Sequence, residues 1–197
     1  MNIKEELRKL VTTQTNLRFN DLEINPEKIQ AIMINEVVPE DPNQDFYGDD
    51  DADYLKTTIP LFQKAGLPIS SISDILEMGV YITNAVKSPK YEYTIEKSSI
   101  ENSLPFLEKE INLFSNVKVI LLMGDVAKKS FNMITKKSLK KNIVPSISTY
   151  KLRGTEIYYG SIRVMPSYIM TGGNILIEKS KFEMASHDIA AMAVLIK

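Results

Sequence analysis

The chain has no cysteine and a single histidine, His187. The first absence excludes disulfides, thiolate metal sites and a cysteine nucleophile. The second argues against a histidine-rich metal site and a Ser-His-Asp triad, and neither a metal nor another cofactor is expected. Long apolar runs are also missing. None approaches the roughly 20 residues of a membrane span, and the start, MNIKEELRKL, lacks a signal-peptide pattern. No membrane partner and a cytoplasmic location follow as expectations. Charge of either sign is not in surplus: the formal net charge is −1 over 197 residues. Bulk electrostatics therefore do not announce a nucleic-acid binder. With no repeat, low-complexity tract or dividing linker, residues 1–197 are expected to form one domain with a sizeable core, acting as a monomer.

The charge that is present is unevenly spread. Glu40, Asp41, Asp45, Asp49, Asp50, Asp51 and Asp53 follow one another without a Lys or Arg. From Val126 to Thr155 the pattern reverses, with Lys128, Lys129, Lys136, Lys137, Lys140, Lys141, Lys151 and Arg153 and no acid. A basic segment of this kind can follow a phosphate backbone or simply form a solvated helix face. The acidic GDDDAD run lacks the spaced ligands and closing Glu of a calcium loop.

Strand and helix signals alternate along the chain. Asn2 caps a first helix to about Val11, with Glu5 as a capping-box-like partner. IQAIMIN at Ile29–Asn35 has strand length, and Asn35 and Glu36 stand at its end. Tyr54–Ala65 has helical spacing, with Pro60 expected to kink or delay it. Ser73 is expected to cap a short helix ending near Met78. Longer helices are expected over about Glu96–Phe114, Val126–Ile134 and from Glu178 onward, the last containing His187. VKVILLM at Val117–Met123 is a near-continuous apolar strand, as both-faces burial requires. Tyr150–Val164 alternates around Arg153-Gly154, a plausible hairpin or edge pair. This order predicts an α/β fold: a three-layer α/β/α sandwich with a central, mainly parallel four-stranded sheet.

VYITNAVK at Val80–Lys87 reads as a buried strand that stops on a polar residue, Asn84. Ligands of open α/β sheets bind at the carboxyl ends of strands, where an amide can read a base edge. The alternative is an Asn that ends a strand by bonding local backbone.

Several segments, in order, resemble the uracil-DNA glycosylase superfamily, and most closely its bacterial and archaeal iron–sulfur branch. INEVVPED at Ile34–Asp41 resembles G-E-A-P-G, with Asn35 at the first Gly and Glu36 at the Glu. The resemblance makes Glu36 and Asn35 the expected catalytic pair, orienting water or balancing a cationic sugar. DFYG at Asp45–Gly48 resembles P-F-V-G, which gives Phe46 the place of the base-stacking aromatic. YITNAVKSPK resembles Y-I-T-N-V-V-K-C-R-P-P, making Asn84 the base reader and Lys87 a DNA contact. Where that branch has cluster cysteines this chain has Ser88 and Ser103, so no iron–sulfur cluster is expected. VKVILLMGDVA is similar to the family's strand–Gly–helix unit. MPSY stands at the family's H-P-S, placing Met165 against the base, and Ser167, Tyr168 and Ile169 on DNA with an apolar wedge.

The chemistry implied is hydrolysis of an N-glycosidic bond. The sugar becomes oxocarbenium-like while the base leaves as an anion, so a carboxylate near C1′ and donors at the base both help. The target nucleotide is pulled from the stack into a snug pocket. Met165 has no proton to give, which removes a donor worth about 2.7–4 kcal/mol by analogy with an oxyanion-hole group. The expected activity is excision of uracil or another damaged base from single- or double-stranded DNA. The competing expectation is a non-catalytic relative that binds DNA, a nucleobase or a nucleotide-like ligand.

Overall fold

The computed structural model describes residues 1–197. A five-stranded sheet lies between two layers of helices in the order β2-β1-β3-β5-β4. The strands are β1 (Ala31–Val37), β2 (Val80–Val86), β3 (Val119–Met123), β4 (Ile157–Tyr159) and β5 (Ile162–Ser167). The expected four parallel strands are present, and β4 adds a short antiparallel edge against β5. The helices are α1 (Ile3–Arg8), α2 (Asp53–Lys64), α3 (Ile72–Glu77), α4 (Lys97–Asn112), α5 (Asp125–Leu139), α6 (Thr149–Leu152), α7 (Asn174–Ile177) and α8 (Lys179–Leu195).

Alternation along the strands divides the core into two halves. Ile32, Ile34, Tyr81, Ile120, Leu122 and Val164 pack with α1, α4 and α5 on one face. Ala31, Met33, Ile82, Leu121 and Met165 pack with α2, α3 and α8 on the other. Continuous apolar strands such as VILLM follow from this burial on both faces.

Several local expectations are corrected. The first helix stops at Arg8, although Asn2 does cap it by accepting the Glu5 N–H. Ser71, not Ser73, caps α3, in a capping box with Asp74. α2 runs through Pro60 without breaking, because Leu55, Leu61 and Phe62 anchor it on the sheet. Arg153-Gly154 is no hairpin turn: residues 149–152 form α6, and the chain reverses between β4 and β5 at Gly160, φ +59°. The sheet reaches further than expected at MPSY, since Met165, Pro166 and Ser167 pair with Leu121, Leu122 and Met123 inside β5. No helix is long and apolar enough to cross a membrane.

Candidate functional site

From β1 the order runs to β2 on one side and to β3 on the other, so the topological switch lies between β1 and β3. Ligands of open α/β sheets bind at the carboxyl side of such a switch. Three polar side chains are held there or one strand away: Asn35 and Glu36 at the end of β1, and Asn84 near the end of β2.

Asn35 and Asn84 are register partners across the parallel pair, so their side chains leave the sheet side by side. The Asn35 amide donates to Asn84 Oδ1 at 2.8 Å. Asn84 Nδ2 donates to the Asp45 carboxylate, 3.0 Å from each oxygen. Asp45 Oδ1 also accepts the Phe46 N–H at 2.9 Å. At the other end of this chain of bonds, the Thr171 hydroxyl donates to Asn35 Oδ1 at 3.1 Å. The Tyr54 phenol, close to Asn35, donates its own proton to the Val37 carbonyl at 2.7 Å. Burial pushes Asp45 above the ordinary carboxylate range, against the opposing hydrogen bonds from Asn84 and Phe46. Tyr54 is likewise pushed up by burial, with the Asp45 charge adding to it.

Glu36 follows Asn35 on β1 and therefore turns to the opposite face. Its Oε2 accepts the Val126 N–H at 2.8 Å, which caps the first turn of α5. Oε1 accepts no hydrogen bond from the protein. Burial raises the Glu36 pKa, the Asp125 carboxylate adds to the rise, and the Val126 N–H, Lys90 and Lys128 oppose it. The close approach depends on Gly124, at φ +98°. A Cβ there would stand 2.8 Å from Glu36 Oε2 and 2.6 Å from Ile169 Cγ1.

The remaining expected residues are placed as follows. Phe46 is 1% exposed and packs on Tyr54, with ring centroids 5.2 Å apart. Met165 is 9% exposed in the same half of the core, on the sheet face shared by Asn35 and Asn84. Lys87 is 2% exposed, and its ammonium is committed to Glu110 and the Thr83 hydroxyl, so it is not presented to a phosphate. Ser167 is buried and donates to Asp188 at 2.6 Å, where Arg153 also bonds. Ile169 is exposed and Tyr168 half-buried. They line an open cavity of about 760 Å³ together with Gly124, Tyr150, Thr171 and Lys181. The structure thus joins Asn35, Asn84 and Phe46 through Asp45, sets Glu36 beside them on the other face, and withdraws Lys87 and Ser167 from the surface.

Asp45, Tyr54 and Thr171 were not singled out from the sequence. Asp45 belongs to the acidic run, and its position directly before Phe46 is the one local signal that sets it apart. Thr171 bonds a residue 136 positions away, which no local pattern reveals. The acidic segment assembles no group of three or more potential metal ligands.

No curated protein sequence matches the chain. A family model does: that of the uracil DNA glycosylase superfamily, across residues 30–172. That span starts one residue before β1 and ends just past Thr171, so it takes in every strand and every residue of the amide–carboxylate chain. On a match of that extent, the protein belongs to the uracil DNA glycosylase superfamily.

Proposed function

We propose that the protein is a DNA base-excision glycosylase that hydrolyses the N-glycosidic bond of uracil or another damaged base. The observation that carries this reading is the pair of neighbouring amides, Asn35 and Asn84, at the carboxyl ends of adjacent strands, with a carboxylate, Glu36, next in sequence. Asn84 offers an amide to a base edge, and Glu36 keeps Oε1 to orient water or face a developing oxocarbenium ion. Tyr168 and Ile169, on the open cavity, contact the DNA strand around the extruded nucleotide. The likeness of INEVVPED and YITNAVK to the iron–sulfur branch supports the same roles, here without a cluster. DNA is the partner, the protein works as a monomer, and its place is the cytoplasm.

The test is incubation with a labelled uracil-containing oligonucleotide, followed by alkaline cleavage of abasic sites. Strand scission by the wild type, reduced at least a hundredfold in Glu36→Gln, is the expected result. Scission no greater than in the Glu36→Gln control sinks the reading for uracil. A second reading is favoured by the closed state of Asn84 and Phe46 and by Met165: a relative that binds DNA or a nucleobase without cutting it. Salt-dependent binding of single-stranded DNA with no scission is its signature.

A further inference from the structure

The base reader carries a lock that the residues around it make one-way. An Asn amide has two N–H donors on Nδ2 and two lone pairs on Oδ1. At Asn84, Nδ2 faces Asp45 and Oδ1 faces the Asn35 amide. Asp45 as a carboxylate can only accept, so Nδ2 must be the atom turned to it. Asn35 is held in turn by the Thr171 hydroxyl, which donates to its Oδ1 at 3.1 Å and leaves its NH2 turned to Asn84. Rotating Asn84 by 180° would set its oxygen against a carboxylate and its NH2 against the Asn35 NH2. Both contacts would be lost at once in a buried site, where unmade bonds are most costly.

The orientation matters because bases differ by its reversal. Uracil presents a carbonyl beside an N–H, whereas cytosine presents an amino group beside a bare ring nitrogen. With one donor and one acceptor already committed, Asn84 keeps one donor and one acceptor, the donor on the Asp45 side. A single amide reads one of these two base edges in one orientation and the other only after flipping.

We propose that Asp45 is a specificity-determining residue that locks the Asn84 amide, so that the site accepts bases with a carbonyl-and-imino edge, the products of deamination, and refuses the parent amino bases. This rests on the glycosylase reading above and names the substrate class of that site. Asp45 lies at the position where the resembled P-F-V-G motif has proline, so the lock is a feature of this chain's own residues. It acts through Asn84 and is a positioning residue rather than a catalytic one.

The experiment compares excision from two oligonucleotides identical except for uracil or cytosine at the target, by wild type and Asp45→Asn. Asparagine at 45 can turn either its oxygen or its NH2 to Asn84, so both Asn84 orientations become tolerable. The uracil-to-cytosine ratio of kcat/KM is expected to fall at least tenfold, by slower uracil excision and newly measurable cytosine excision. An equal loss on both substrates, or an unchanged ratio, overturns the proposal while leaving the glycosylase reading intact. If Asp45→Asn does not fold, Asp45→Ser, whose hydroxyl both donates and accepts, carries the same expectation. If the wild type cuts neither oligonucleotide, the glycosylase reading fails, and the lock is read instead from binding of free uracil and free cytosine by NMR. Uracil preference in the wild type that disappears in Asp45→Asn supports the lock; no preference, or no binding, overturns it.

Discussion

Two carboxyl groups at the site are displaced in the same direction for reasons that differ in detail, and each has its own pH signature. Glu36 is raised first by burial and then by the neighbouring Asp125. A carboxylate that balances a cationic sugar must be ionised, so excision is expected to rise with pH through the raised Glu36 pKa. Asp125→Asn removes a repelling charge and frees Lys128 from its 2.6 Å ion pair, and both changes favour ionised Glu36. The acid limb of the kcat/KM profile should therefore move to lower pH in Asp125→Asn; a limb that stays, or moves up, counts against Glu36 as the titrating group. Asp45 is raised mainly by burial, with Glu110 adding to it and Lys87, Asn84 and the Phe46 N–H opposing. The folded state then holds the Asp45 proton more tightly than the unfolded chain does. Between the two pKa values stability falls as pH rises, and above the folded value the penalty is complete. Asp45→Asn is expected to raise the melting temperature at pH 8, with the gain disappearing as pH falls toward about 4, the ordinary Asp value. A melting temperature lowered at pH 8 would mean that the carboxylate is a structural asset. Glu36 and Asn84 were visible in the sequence because each is a polar residue set in an apolar strand near its carboxyl end, although β2 runs on past Asn84 to Val86. Asp45 and Thr171 were hidden because their partners lie 39 and 136 positions away.

Elements were legible where burial imposes a period and obscure where tertiary contacts override local chemistry. VILLM and VYITNAV declare themselves as strands because both faces are covered. Pro60 misled because its cost is met by the apolar face of α2, and α5 outran its expected end because Ile134 and Thr135 remain buried. The N-terminus of α5 was legible to within one residue, but the carboxylate that caps its first turn, Glu36 on β1, was not. β2 and α4 are joined by a polar cluster with no sequence signature: Lys87 and the Tyr81 and Thr83 hydroxyls converge on Glu110, all within the core. Removing one member of a buried ion pair leaves the other charge without compensation, a loss of about 3–5 kcal/mol. Lys87→Met is expected to cost that much in denaturant unfolding. Glu110→Gln in the same chain should recover part of it, because an amide still accepts from Tyr81 and Thr83 without stranding a charge. If the double variant is as unstable as the sum of the singles, the pair is not coupled as described. Such a result would also loosen the end of β2 that carries Asn84.

Over the whole molecule the near-zero net charge conceals a polarity along the strand axis. The acidic run 40–53 leaves the carboxyl end of β1 and so lies on the same rim as Asn35 and Asn84, with Asp49, Asp50 and Asp51 exposed. The basic run begins on that rim but does not stay there. α5 carries Lys136 and Lys137, and the turn after it Lys140 and Lys141, away from Asp125. At a rise of roughly 1.5 Å per residue, that is about 17–24 Å. The Debye length at physiological ionic strength is only about 8 Å, so these four lysines contribute little at the site. Of the nearer cations, Lys128 is engaged with Asp125 and Lys181 with Glu178 and the Tyr168 ring, which leaves Lys90 as a single exposed charge near Glu36 against the three exposed aspartates. A polyanion approaching the rim therefore meets the carboxylates first. Asp49→Asn, Asp50→Asn and Asp51→Asn combined should tighten single-stranded DNA binding several-fold at low salt, an advantage that fades as salt screens it. Replacing Lys136, Lys137, Lys140 and Lys141 together by Gln should leave affinity within about twofold, since salt dependence counts only the phosphates actually neutralised, about 0.7 in slope for each on a single strand. Anisotropy of a labelled oligonucleotide across a salt series measures both. A slope lowered by two or more in the lysine variant would place the DNA along the length of α5 rather than across the rim, and would move the expected binding face away from Tyr168 and Ile169.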